Sequence, residues 1–100
     1  MDFSMTIDDL NEMVMNEMAL ILSTPKVICD DPFTLEFEAH IKRENRKIRF
    51  VGPKAKLLYK NFRKGDYIRL SGYIIEDYIL LDWVKFNSEQ AIGRNINIMA

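Results

Sequence analysis

Basic side chains are the residues of this sequence best suited to bind a ligand, and they are concentrated in one stretch. Ten of the 14 Lys and Arg residues lie between positions 42 and 64, where Glu44 is the single acid. Residues 1–38 hold nine acids and one base, so the net charge of -1 conceals a strong segregation. A local excess of this kind is typical either of a solvated face or of a surface that binds a polyanion. The charges alone leave both interpretations open.

The patterns expected of catalysis or metal binding are absent from the sequence. No nucleophile, base and orienting group occur in a motif-like arrangement, and there is no glycine-rich phosphate loop. Cys29 is the only cysteine and His40 the only histidine, which excludes an internal disulfide and a cysteine-based zinc site. We therefore expect a binding protein without a cofactor or a metal, not an enzyme.

The chain length allows one domain. Its longest apolar runs, such as residues 18–22, are far shorter than the ~20 residues that a membrane span needs, and no signal peptide opens the sequence. We expect a soluble intracellular protein with no membrane partner.

Alternation of apolar and polar residues predicts mostly strands. The clearest pattern runs from Phe33 to Lys42, where every second residue is apolar. A preceding strand from Met15 is expected to be bent or interrupted by Pro25 before Ile28. The remaining predictions are a hairpin tip at 44–46, strands at 47–51, 66–76 and 78–86, and a ten-residue helix between Pro53 and Gly65.

Two strands near the end of the chain differ in how well their faces can be assigned. Ile68 and Leu70 share one parity, while Tyr67 and Tyr73 share the other, so the tyrosines are expected to face outward. The last strand is apolar on both faces and cannot be oriented by parity. Trp83 lies within it and is expected to be part of the core.

Four segments resemble bacterial single-stranded DNA-binding proteins (SSB). They are Met-Asn-Glu-Met-Ala-Leu-Ile at 15–21, Phe-Val-Gly at 50–52, Phe-Arg-Lys-Gly-Asp-Tyr-Ile-Arg-Leu-Ser-Gly at 62–72, and Asp-Trp-Val-Lys-Phe at 82–86. The resemblance implies an all-β, five-stranded OB-fold Greek-key barrel with one helix between strands 3 and 4. The OB-fold domain would span residues 15–86. Residues 1–14 would be an N-terminal extension, either a short helix or frayed, and residues 87–100 a tail.

The resemblance also implies a function. It is largely sequence-independent binding of single-stranded DNA in replication, repair or recombination, by a homodimer or homotetramer that assembles through the first strand. The expected DNA-binding residues are His40, Lys42, Arg43, Arg46, Lys47, Arg49, Arg69, Tyr67, Tyr73 and Tyr78. The hairpin bases would hold phosphates and the tyrosines would stack on bases, although solvated bases and ordinary exposed tyrosines fit the same pattern.

Some residues count against a strand of nucleic acid. Glu36 and Glu38 share the outward face of their strand with His40 and would repel phosphates. Asn45 and Val51 stand where SSB proteins carry stacking aromatics. The bases of the predicted helix, Lys54, Lys56, Lys60 and Lys64, are expected to form a solvated surface away from the binding face.

The long hairpin between the last two strands and the acidic tail of SSB are also missing, so the chain resembles the short primosomal and plastid-encoded relatives of that family. A protein-interaction OB-fold and an RNA-binding protein remain alternatives. The resemblance places the protein in the bacterial cytoplasm or in a plastid.

Overall fold

The computed structural model describes residues 12–86 and contains six strands, one short α-helix and one 3₁₀ turn. The strands are β1 (Met13–Ile21), β2 (Lys26–Asp30), β3 (Phe33–Ile41), β4 (Glu44–Val51), β5 (Tyr67–Ile75) and β6 (Tyr78–Phe86). Helix α1 (Pro53–Leu58) and the 3₁₀ turn (Tyr59–Asn61) lie between β4 and β5 in the chain. No helix in this part of the chain is long and apolar enough to cross a membrane.

Five of the strands close into a barrel. Their order around it is β1, β5, β6, β4, β3, and the circle is completed by pairing of β3 with β1, where Leu20 lies opposite His40 and Ile21 opposite Ala39. The β4–β6 pair is parallel and the other pairs are antiparallel. Strand β2 lies outside this circle and, among the described strands, pairs only with β3. The expectation of an all-β barrel with one helix is confirmed.

The interior of the barrel is filled by the apolar parity of β3 and by a group of aromatic side chains. Leu35, Phe37, Ala39 and Ile41 are all buried, as the alternation predicted. Phe62, which follows the 3₁₀ turn, packs against Phe37 and Phe86, with ring centroids 5.4 and 5.0 Å apart. This contact anchors the basic segment around Phe62 to the core, because a buried aromatic fixes the backbone that carries it.

The buried side chains of β6 switch from odd-numbered to even-numbered positions along the strand. This switch explains why alternation in the sequence could not show which face of β6 points inward. Ile79 and Leu81 are buried, and so are Val84 and Phe86, because the β5–β6 register shifts between Ser71 and Gly72. The shift leaves Trp83 half-buried on the outer side, opposite Ser71. The expectation that Trp83 is part of the core is wrong for this reason.

The β3–β4 hairpin turns earlier than expected. Ile41 lies opposite Glu44, so the turn consists of Lys42 and Arg43, whose φ angles are 51° and 70°. Positive φ at both central residues is the geometry of a type I′ turn, which matches the twist of a hairpin. The predicted tip at 44–46 is therefore wrong, and these residues begin β4.

The first strand is interrupted as expected. Strand β1 ends at Ile21, residues 22–25 form a loop that contains Pro25, and β2 resumes at Lys26. The strand begins at Met13 and Val14 is already buried, two residues before the domain start at 15 that the sequence indicated. The expected N-terminal helix lies almost entirely outside the described residues, and so does the tail at 87–100.

Candidate nucleic-acid interface

The outer face of β4 and β6 brings together an arginine and a tyrosine of the expected set. The Arg49 guanidinium lies 4.3 Å from the centroid of the Tyr78 ring, and its Nε donates a 3.0 Å hydrogen bond to Oε2 of Glu36 on β3. This hydrogen bond raises the pKa of Arg49 above its ordinary value, against a smaller opposing effect of desolvation. The hydrogen bond and the ring contact together hold the guanidinium, which is charged in any arginine, in one orientation.

A second tyrosine of the expected set lies on the same face, on β5, which is next to the strand of Tyr78 and two strands from that of Arg49. Tyr73 of β5 is the register partner of Leu80 on β6, and Leu80 is the partner of Arg49 on β4. Tyr73 is exposed, while Tyr78 is half-buried. Lys47, the register partner of Tyr78, adds a positive charge beside them. The four residues Lys47, Arg49, Tyr73 and Tyr78 are called the β4–β6 face below.

The cations of the hairpin are largely occupied by carboxylates. Lys42 lies 3.6 Å from Glu17, Arg46 lies 3.7 Å from Glu44, and Lys47 lies 3.8 Å from Asp77. Arg43 makes no ion pair within residues 12–86. A phosphate that approached the hairpin would have to displace or share these carboxylates, so most of the hairpin charge is compensated within the protein.

The other three expected residues form a separate group on β3 and β5, the two strands that pair with β1. Nδ1 of His40 lies 2.8 Å from Oδ1 of Asn45, and Arg69 donates a 2.8 Å hydrogen bond to the carbonyl of Asn16. Leu20 pairs with both His40 and Tyr67, which places these two on one rung. Tyr67 is six residues from Tyr73 along β5, or roughly 20 Å in an extended strand. The expected residues therefore fall into two groups and a hairpin tip.

The segment at 54–64 carries a feature that the sequence interpretation did not assign to binding. An open cleft of about 330 Å³ separates it from the loop at 22–25. The cleft is lined by Thr24, Pro25, Tyr59, Lys60, Phe62, Arg63 and Lys64. A smaller depression of about 230 Å³ adjoins it at Thr24 and extends to Lys47. The run of bases without an acid was visible in the sequence, but the loop that forms the opposite wall was not.

The described residues offer no site for metal chemistry. Within residues 12–86, no three His, Cys, Asp or Glu side chains are close enough to hold an ion, and Cys29 is exposed. What the arrangement offers is charge and aromatic surface.

Comparison with known proteins places the fold but not the family. No protein-family model matches the chain, and no curated protein matches it with significant similarity. Among solved structures, the crystal structure of the ZRD-deleted mutant of TiaS in complex with agmatine matches 71% of this chain with a TM-score of 0.61 and 20% sequence identity. The match covers 20% of the TiaS chain, so the relation is to one part of a larger protein. A likeness at this level of identity shows that the chain shares the fold of that part.

Proposed function

We propose that this chain is an OB-fold protein that binds single-stranded DNA with little sequence preference. The order of the strands around the barrel supports the OB-fold. If the five barrel strands are numbered 1 to 5 along the chain, leaving out β2, their order is 1-4-5-3-2, and strand 2 closes the barrel on strand 1. The helix follows strand 3. In OB-folds the second and third strands, with the loops that flank them, bind oligonucleotides. Here these strands are β3 and β4, and β4 carries Lys47 and Arg49.

The observation that carries the proposal is the β4–β6 face, where charge and aromatic surface coincide. Bases stack on tyrosine rings and on the planes of arginine guanidinium groups, while lysines hold the backbone phosphates. The Arg49 Cζ lies over the Tyr78 ring, 4.3 Å from its centroid, and Tyr73 adds an exposed ring on the neighbouring strand β5. Such surfaces bind any base, because every base has a π-face.

Two carboxylates limit the strength of this binding. Glu36 is hydrogen-bonded to Arg49, and Asp77 is close to Lys47. A bound phosphate would have to share Arg49 with Glu36 and Lys47 with Asp77. We therefore expect moderate affinity that falls steeply with salt. RNA strands can use the same stacking surfaces, and the comparison of DNA with RNA belongs to the test.

A protein-interaction role is the second candidate, and a specific observation favours it. All five residues of β2 are exposed, and within residues 12–86 this strand pairs only with β3. Met15 and Met18 are exposed on β1. One edge of β1 pairs with β5, while the other edge has no partner strand within the described residues until Leu20, where it meets β3. Free edges of this kind bind other strands, including those of a second copy. Assembly into a homodimer or homotetramer through β1 is part of the proposal, and light scattering checks it against the monomer mass of 11.8 kDa.

Fluorescence anisotropy with labelled oligothymidylate, oligouridylate and duplex DNA tests the proposal. Replacing Tyr73 and Tyr78 by leucine should weaken single-strand binding by about 1–3 kcal/mol for each base stack lost, or roughly 5- to 150-fold. The matched variant Tyr67→Leu removes an exposed tyrosine from the other end of β5 and should have a smaller effect. Absence of single-strand binding at low salt would overturn the proposal and favour the protein-interaction role.

A further inference from the structure

The cleft between the loop at 22–25 and the segment at 59–64 combines an apolar base with a basic rim. Phe62 is buried, and Tyr59 and Pro25 are half-buried. Lys60, Arg63 and Lys64 line the same cleft and are exposed. Its volume of about 330 Å³ lies in the range of clefts that bind small ligands or parts of larger ones.

Within residues 12–86, the bases of this segment form no ion pair with a carboxylate. Residues 53–65 contain five bases and no acid. Their charged groups are Lys54, Lys56, Lys60, Arg63 and Lys64. All five are exposed. A cleft lined by charges of one sign with apolar walls concentrates the field and attracts ions of the opposite sign.

The walls of the cleft are held in place by the barrel. The turn at 63–65 is hydrogen-bonded to the end of β1: the Gly65 amide donates to the Ile21 carbonyl at 2.7 Å, and the Ile21 amide donates to the Asp66 carbonyl at 2.9 Å. Phe62 stacks on Phe37 in the core. The backbone that carries the cations is therefore ordered before any ligand arrives, which lowers the entropic cost of binding.

The cleft is also connected with the β4–β6 face. The smaller depression includes both Thr24 and Lys47, so a surface path leads from that face around the loop to the cleft. Two carboxylates lie along this path, each opposite a cation of β4 in the strand register. Glu36 is hydrogen-bonded to Arg49, and Glu38 lies opposite Lys47 in the strand register.

We propose that this cleft is the main phosphate-binding site of the protein, in which Lys60, Arg63 and Lys64 hold the backbone of a single strand whose bases stack on the β4–β6 face. The inference rests on the proposed function for its ligand. It assigns the electrostatic part of binding to the segment after the helix and not to the hairpin.

The test compares two triple variants that remove the same charge from the full chain. Lys60→Ala, Arg63→Ala and Lys64→Ala together empty the cleft of cations, whereas Lys42→Ala, Arg43→Ala and Arg46→Ala remove three hairpin cations that lie outside the β4–β6 face, two of which are ion-paired. Binding of labelled oligothymidylate is measured between about 50 and 200 mM salt. The cleft variant should lose about 2.1 in the slope of log K against log salt, since each single-strand phosphate contact contributes about 0.7. The hairpin variant should lose less than about 0.7.

The binding measurements distinguish failure of the cleft proposal from failure of the proposed function. If the parent protein binds oligothymidylate and both variants lose the same slope, the cleft is not the phosphate site and the proposed function stands. If the parent protein does not bind oligothymidylate, the proposed function fails, and titration with inorganic tripolyphosphate decides about the cleft. Amide NMR shifts confined to residues 24 and 59–65 would support a phosphate site there, and unchanged shifts would overturn it.

Discussion

The two basic segments of this protein, residues 42–49 and 54–64, have similar composition but very different surroundings. In the first, Lys42, Arg46, Lys47 and Arg49 each lie within 4 Å of a carboxylate. In the second, no cation forms an ion pair with a carboxylate within the described residues. The difference follows from the fold, because Glu17 of β1, Glu36 of β3 and Asp77 of the β5–β6 turn lie beside the hairpin. Segregation of charge along a sequence therefore does not predict segregation in space.

The largest effect is expected from the hairpin turn. Lys42 and Arg43 adopt positive φ angles that cost L-residues with side chains about 1–2 kcal/mol each. Replacing them by Asn and Gly, the preferred type I′ pair, should raise the free energy of unfolding by about 1–2 kcal/mol. Chemical denaturation measures this. If oligothymidylate affinity fell more than about tenfold in the same variant, the hairpin tip and not the cleft would dominate phosphate binding.

A second prediction releases the paired cations. Glu36→Gln together with Asp77→Asn removes the carboxylates beside Arg49 and Lys47 without removing any base. Two cations freed for phosphates should steepen the salt slope by about 1.4, or about sevenfold in affinity across a fourfold change in salt. Anisotropy titrations measure the slope. An unchanged slope would mean that the ion pairs do not compete with the ligand, and the contrast between the two segments would lose its functional meaning.

A third prediction places a negative charge in the cleft. Thr24→Asp should cancel about one phosphate contact and weaken oligothymidylate binding about threefold at moderate salt. Leu57→Asp, a matched control, adds the same charge at an exposed position of α1 that does not line the cleft. Its effect should be smaller. Equal losses in the two variants would indicate diffuse attraction to the whole segment.

The smallest effect is expected for the cations at the start of the same segment. Lys54→Ala with Lys56→Ala removes two exposed charges that do not line the cleft. Stability should remain within about 0.5 kcal/mol of the parent protein, as is usual for surface sites. Binding should weaken less than in the variant that lacks Lys60, Arg63 and Lys64. A thermal melt and one titration are sufficient, and a loss equal to that of the cleft variant would count against a localised site.

Elements with a regular apolar period could be predicted from the sequence. Strict alternation identified β3 and its inward side chains, and parity placed Tyr67 and Tyr73 on the outside of β5. Elements whose geometry depends on a neighbouring strand could not be predicted in this way. The β-bulge at Asp82 of β6, opposite Ser71 and Gly72, moves Trp83 outward, and a Cβ on Gly72 would lie 2.5 Å from the Leu80 carbonyl oxygen. The turn at Lys42 and Arg43 lacks the usual Gly or Asn.

The candidate site was predictable in its residue types more than in its location. The ten expected residues share charge, aromaticity or a resemblance to SSB. None of these properties shows which carboxylates or rings will lie beside a residue in the folded chain. The Arg49 stack on Tyr78 joins residues 29 positions apart, and the carboxylate of Glu36 reaches Arg49 only because β3 and β4 pair in that register.

The sequence by itself determined an all-β domain with one helix, the inward residues of β3 and the outward tyrosines of β5, and the presence of an unusual excess of bases between 42 and 64. These properties depend on the periods of 2 and 3.6 residues and on composition, which are local. The tertiary structure decided which of those bases keep an unshared charge, and it formed the cleft from a loop and a segment that lie more than 30 residues apart. Pairing and cleft formation depend on strand register and barrel closure, and these are set by contacts between distant parts of the chain.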